Sequence, residues 1–193
     1  MPVYFSSERV GETLVGATRD VFVSPVRFFE AMPAATDYRN SLVLLSIYLA
    51  VPALILSLFS GIVTIVFILP STLVFGIFTT WSWAWYLAWA SRVFCKAELG
   101  TAGAFQICAY SSAPFLLFWV PVFGVVAYVW SLYLNWQGLV SHARIGGGAA
   151  LMFILAAFVI FGLLLIVLVL LLIRLASDSG VSLPEMMSAY ISA

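Results

Sequence analysis

Charge is the scarcest property of this sequence. Asp, Glu, Lys and Arg make up 8% of the 193 residues while 64% are hydrophobic, where a soluble domain carries about 25% charged residues and about half apolar ones. A chain so poor in charge cannot clothe itself in a water-facing surface, which excludes a soluble globular fold. Basic and acidic residues are equal in number, eight of each, and the absence of a basic patch with interleaved aromatics removes nucleic acid as a partner. A single histidine leaves too little to build a hydrolytic triad or a histidine metal centre, so the chain is read as a non-enzyme with no cofactor and no metal. Cys95 and Cys108 lack CxxC spacing and a flanking histidine pair, and both fall in the cytoplasmic half, which predicts neither a zinc site nor a structural disulfide. The glycine clusters are not followed by the Lys and Ser/Thr of a phosphate-binding loop.

The few charges are also segregated. None lies between Arg39 and Arg92, between Glu98 and Arg144, or between Arg144 and Arg174, and each gap exceeds the roughly 20 residues a helix needs to cross a hydrocarbon core. The first gap is long enough for two crossings and divides at Ser60–Gly61, giving spans at about 41–61 and 65–91. The second divides at the run FWVP, giving 102–119 and 120–141, and the third holds one span at 149–173. The expected fold is therefore an all-α integral membrane protein, a bundle of five transmembrane helices occupying residues 41–174. Repeated ten-residue alternation, the mark of a membrane β-barrel, is missing. Pro70 and Pro114 fall inside spans, where they should kink a helix or mark a short unwound turn.

Placing the N-terminus in the cytoplasm puts Arg9, Arg19, Arg27, Arg39, Arg92, Lys96 and Arg144 inside and only Arg174 outside, as the positive-inside rule prefers. Five crossings then leave the C-terminus outside. Trp81, Trp83, Trp85 and Trp89 crowd the inner half of the second span, with Trp136 near an inner end and Trp119 at an outer one, as interfacial belts require.

Residues 1–40 read as a cytoplasmic interfacial segment rather than a cleavable leader, because acids precede the first apolar run. Ser24 followed by Pro25 marks a helix start and Pro33 its end, so one or two short helices are expected against the bundle or the headgroups. Residues 175–193 are expected to form a short extracytoplasmic tail, in which Ser182 and Glu185 have capping-box spacing.

Small and polar residues inside spans are where a membrane protein keeps its packing faces and its function. Ala53, Ser57 and Gly61 recur every fourth residue, as do Ala84 and Ala88, and Ala127 and Ser131. They define a helix-packing face within the monomer or a face between copies. Gln106, Asn135, Gln137 and His142 are the uncommon residues. Gln106 with Tyr110 in the third span and Asn135 in the fourth can meet in the interior, either as a hydrogen-bonded helix staple or as a polar pocket for a lipid headgroup or solute. His142 sits at the inner end of its span and reads as an interfacial cap. No acid lies deep in a span, which disfavours a carboxylate-driven proton-coupled transporter.

Three runs, SPVRFFEAMP, GTAGAFQICAYSSAPFLLFWVPVFG and WSLYLNWQGLVSHAR, together resemble the Yip1-domain family, in particular its short bacterial members of unknown function. The resemblance extends from about Val26 to Leu172 and is carried by Ala109, Tyr110, Ser111 and Pro114, then Trp130 and Gly138. It implies five spans, a cytoplasmic N-terminus and the bacterial inner membrane. The eukaryotic branch is associated with early secretory membranes, vesicle traffic and Rab-class GTPases, and its members have a long polar cytoplasmic N-terminal region that this sequence lacks. Two functional readings stand ahead of an intramembrane enzyme, which would need two titratable groups converging on a cavity. One is a scaffold or accessory protein whose partners are membrane lipids and another membrane protein or a second copy of itself. The other is a transporter or channel for a small solute, ion or lipid, built as an oligomer.

Overall fold

Helix is the only regular structure among the residues described by the computed structural model, which are 2–35, 37–60 and 62–178. Two short helices come first, α1 (Val10–Val23) and α2 (Pro25–Glu30). They join at Ser24, whose N–H closes α1 on the Asp20 carbonyl at 3.0 Å, while Pro25 opens α2 at the position where a missing N–H costs nothing. Next come α3 (Arg39–Ser60) and α4 (Ile62–Cys95), which pack on each other. A short α5 (Thr101–Ser111) leads into a 3-10 segment (Ala113–Leu117), and α6 (Pro121–Ser141) and α7 (Gly147–Asp178) complete the described chain.

Three of these helices contain stretches long and apolar enough to cross a membrane, Arg39–Leu58, Val66–Cys95 and Gly147–Leu175. Both α3 and α4 carry a proline, Pro52 and Pro70, within continuous helix. The sequence reading had placed Pro70 inside a span and passed over Pro52. The close approach of α3 and α4 depends on Gly76, where a Cβ would stand 2.5 Å from Leu49 Cδ1. Pairing Leu49 with Gly76 sets an antiparallel register that brings Arg39 near the level of Tyr86. The last two turns of α4 therefore run past the start of α3, and α4, with 34 residues, measures about 51 Å against a hydrocarbon core of about 30 Å.

The stretch expected as the third span is broken where Pro114 was expected to unwind it. α5 has 11 residues, a length of about 16 Å, and Pro114 sits in the tighter 3-10 turn that follows. Nearly everything on α5 is buried, from Ala104 and Phe105 through Ile107 to Ser111, because α3, α4, α6 and α1 all pack against it. Its approach to α6 is set by Gly138, where a Cβ would collide with Ile107 Cγ2 and lie 3.3 Å from Phe29 Cε1. Helices α2, α5 and α6 meet at that glycine.

Residues 2–32 are wedged into this assembly. Phe5, Ala17, Val21, Phe28, Phe29 and Met32 belong to the same buried cluster as Leu44, Leu87, Phe105 and Leu139. Mixed charges left docking on the bundle and on the headgroups both open, and the apolar residues of these helices fill the mouth of the bundle. A hydroxyl pair ties the wedge to α3, Thr18 Oγ1 and Tyr48 Oη being 2.9 Å apart, while Tyr38 at the head of α3 donates to Thr101 Oγ1 of α5 at 2.8 Å.

Both α4 and α6 end in a left-handed cap held by a basic residue. Lys96 has φ 52° and Arg144 φ 54°, and the next N–H in each case returns to a carbonyl six residues back, Ala97 to Ser91 and Ile145 to Leu139. Each return bond spans one residue more than that of the Schellman motif, which is usually built on glycine.

The cluster just described belongs to the first of two compact units, residues 1–153. Its core residues on α3, α4 and α6 lie toward the ends marked by Arg39, Arg92 and Arg144, whereas Leu54, Phe67, Phe75, Val122 and Val125 toward the other ends are exposed. The second unit, residues 154–193, is described as far as Asp178. It continues α7 with exposed Leu155, Val159, Phe161, Leu164 and Leu170, apolar on all sides as membrane helices are. Gly61 and the Ser182–Glu185 spacing lie outside the described residues.

Candidate functional site

Hydroxyls along the long helices bond to their own backbone. Ser57 Oγ donates to the Ala53 carbonyl at 2.7 Å, Ser71 to Phe67 at 2.6 Å, Thr79 to Phe75 at 2.7 Å, Ser82 to Phe78 at 2.9 Å and Ser91 to Leu87 at 2.6 Å. In an apolar medium the i−4 carbonyl is the nearest acceptor for a short side chain, so these groups are consumed within one helix rather than bridging two.

The small residues singled out by spacing face inward. Ala53, Ser57, Ala127 and Ser131 are each at most 5% exposed, and Ala84 and Ala88 at most 1%. They pack within the first unit.

The polar candidates Gln106, Tyr110, Asn135 and His142 do not form one site. Asn135 is buried and spends its Nδ2 on the Ser131 carbonyl at 2.9 Å. Its Oδ1, Gln106 Oε1, Gln137 Oε1 and Ser111 Oγ are buried without a hydrogen-bond partner. Among the described residues no hydrogen bond joins Gln106 to Asn135, so the amides are not the staple the spacing allowed. Tyr110 turns toward the wedge instead. Its hydroxyl accepts the Phe5 N–H at 3.0 Å, and its ring meets Phe28 edge-on at 4.9 Å. Tyr4 completes the corner by donating to the Phe28 carbonyl at 3.1 Å.

His142 stands just beyond α6, its N–H on the Gly138 carbonyl at 3.0 Å. Burial lowers the imidazole pKa below its ordinary 6.5, and the Phe29 carbonyl, the smaller influence, opposes this.

Two cavities open on the first unit. One, about 570 Å³, lies beside the α1–α2 junction among Asp20, Ser24, Arg27 and Glu30. The other, about 370 Å³, is bordered by Leu49, Pro52, Ala53 and Leu56 of α3, by Ile68 and Thr72 of α4, and by Phe115, Phe118 and Tyr128. Neither is lined by Gln106 or Asn135. Sequence reasoning missed the second cavity, and its one legible trace was Pro114, which marks where the third span breaks.

Membrane-length apolar helices, hydroxyls satisfied within their own helix and an apolar surface around a small polar-poor core define a membrane-embedded helical protein. More particularly, the chain belongs to the Yip1 domain family, which matches residues 19–170. No curated protein and no solved structure matches it.

Two outcomes follow from the wedge. Tyr110→Phe strips the acceptor from a buried N–H, and should cost about 1–3 kcal/mol, read as a lower melting temperature and faster amide exchange at Phe5; unchanged exchange there would show that the Tyr110 bond does not hold the segment. For His142, the folded pKa lies below the unfolded one, so stability is full above about pH 6.5 and declines as pH falls below it, when the unfolded chain takes up the proton first. Melting scans across that window should lose this slope in His142→Gln, and an identical slope in both proteins would assign it elsewhere.

Proposed function

We propose that this protein is a membrane scaffold or accessory protein of the Yip1 type, which binds another membrane protein or a second copy of itself, or organises lipid, in the bacterial inner membrane. The observation that carries this reading is the filled mouth of the bundle. Phe5, Phe28 and Phe29 occupy the arginine end with α5 packed beneath them, while the hydroxyls of the long helices are spent on their own backbone. A bundle arranged in this way presents its outer surfaces for use. A non-enzymatic role agrees with this arrangement.

The second reading, a transporter or channel for a small solute, ion or lipid, draws on the four buried polar atoms that lack partners, on Gln106, Ser111, Asn135 and Gln137. Unpaired buried acceptors are costly and call for a reason.

In the topology we propose, residues 1–40 lie on the cytoplasmic side and the chain crosses five times, through α3, α4, the broken stretch from Thr101 to Val120, α6 and α7. The tail after residue 174 is then outside. A single cysteine introduced by Ser179→Cys, in a Cys95→Ser, Cys108→Ala background, should react with an impermeant thiol reagent added to intact spheroplasts. Reaction only after lysis would return the tail to the cytoplasm and exclude five crossings.

Native mass spectrometry of the chain gently extracted from its host membrane tests the role. A stoichiometric partner chain or a specific lipid retained in Gln106→Leu and Asn135→Leu is the expected result. Capture of a small polar solute that both substitutions abolish would move the assignment to transport.

A further inference from the structure

Helix α5 starts at Thr101, tied to Tyr38 at the head of α3, and stops at Ser111. Its length of about 16 Å is roughly half the hydrocarbon thickness of about 30 Å. Beyond Ser111 the chain continues as a 3-10 turn, and Phe115 and Phe118 from this stretch reach the space beside α3 and α4 without filling it. The remaining cavity of about 370 Å³ is the gap that a full-length helix would have closed.

We propose that this cavity is a binding site for one acyl chain of a bilayer phospholipid, taken from the half of the membrane remote from Arg39, Arg92 and Arg144. Depth is the first argument. On α3 the lining runs from Leu49 to Leu56, starting about 15 Å from Arg39, inside the hydrocarbon layer, where acyl chains are the surrounding solvent.

Chemistry is the second argument. Among the described residues the lining is aliphatic and aromatic, with hydroxyls at Thr72 and Tyr128 alone. Water needs two to four polar partners to settle in such a space, and an empty apolar cavity forfeits packing in proportion to its volume. An acyl chain satisfies both conditions. The volume equals about a dozen water molecules and falls within the range of small-molecule pockets, about 300–1,000 Å³.

Access is the third argument. Leu56 and Tyr128 line the cavity and are themselves 41% and 44% exposed, so its mouth is continuous with the lipid-facing surface. This inference goes beyond the scaffold reading and does not depend on it; it requires only that α3 and α4 lie in the bilayer.

The test reconstitutes the full chain in phosphatidylcholine–phosphatidylglycerol vesicles containing a trace of phospholipid with a diazirine midway along one acyl chain. After irradiation, adducts are mapped by peptide mass spectrometry. Labelling of 49–56, 68–72 and 115–118 should exceed labelling of the plainly lipid-facing 122–126 several-fold. Leu56→Trp and Ile68→Trp, which fill the cavity, should each abolish that excess without lowering the melting temperature. Even labelling of cavity and outer surface in the native sequence would overturn the proposal, whatever the variants do. So would adducts undiminished in folded variants, or crosslinks from the cavity to a second polypeptide. A failure here leaves a partner chain found by native mass spectrometry standing, and the reverse also holds.

Discussion

A helix of 11 residues cannot by itself cross a hydrocarbon layer, and in the proposed five-crossing topology the arrangement of the first unit answers that shortfall. Backbone that leaves the helical path inside a membrane is tolerated only where protein or a lined cavity surrounds it. Here α3, α4 and α6 enclose α5, the residues before α3 stop its arginine end, and the 3-10 turn carries the chain onward to α6. Burial of α5 is correspondingly severe, from Ala104 to Ser111. Glycine at 138 is what lets Ile107 and Phe29 converge on one point of α6.

The same constraint explains why the polar residues of the spans do not add up to a polar path. Ser57, Ser91 and Asn135 each bond to the carbonyl four residues earlier. Tyr48 and Tyr110, longer side chains on α3 and α5, reach the wedge instead and contact Thr18 and Phe5. Reach decides the partner: one or two side-chain bonds keep a group within its own helix, whereas a phenol can leave it.

Helical membrane character was legible in the sequence because it follows from composition and charge spacing, which survive any detail of packing. The break after α5 was half legible. Pro114 announced an unwound turn, but hydropathy runs on uninterrupted from Ala113 to Val120 and hides how short the helix before it is. The wedge was legible only as one of two dockings because Arg19, Arg27 and Glu30 alternate with Val21, Phe28 and Phe29; the charges speak for a surface, and only tertiary packing shows that the apolar set is buried against the bundle. Among the polar candidates, spacing put Gln106 and Tyr110 on one face of α5 but could not tell that the phenol turns to Phe5. Ser111, a residue too common to attract notice, proved as unpaired as the amides. Ala53, Ser57, Ala127 and Ser131 kept their small-residue logic, with their neighbours inside the unit.

Lys96 and Arg144 occupy left-handed caps that glycine would adopt with less strain. Each cap knots the helix end through a return bond to a carbonyl six residues back, so the charge is fastened to the terminus rather than carried on a loose loop. In the five-crossing topology proposed above, a helix fastened in this way resists sliding along the membrane normal: pulling α4 or α6 deeper would draw a cation into hydrocarbon or unravel the last turn. The two residues thus serve as mechanical stops, holding the vertical position of the bundle against the bilayer whatever its lateral neighbours do.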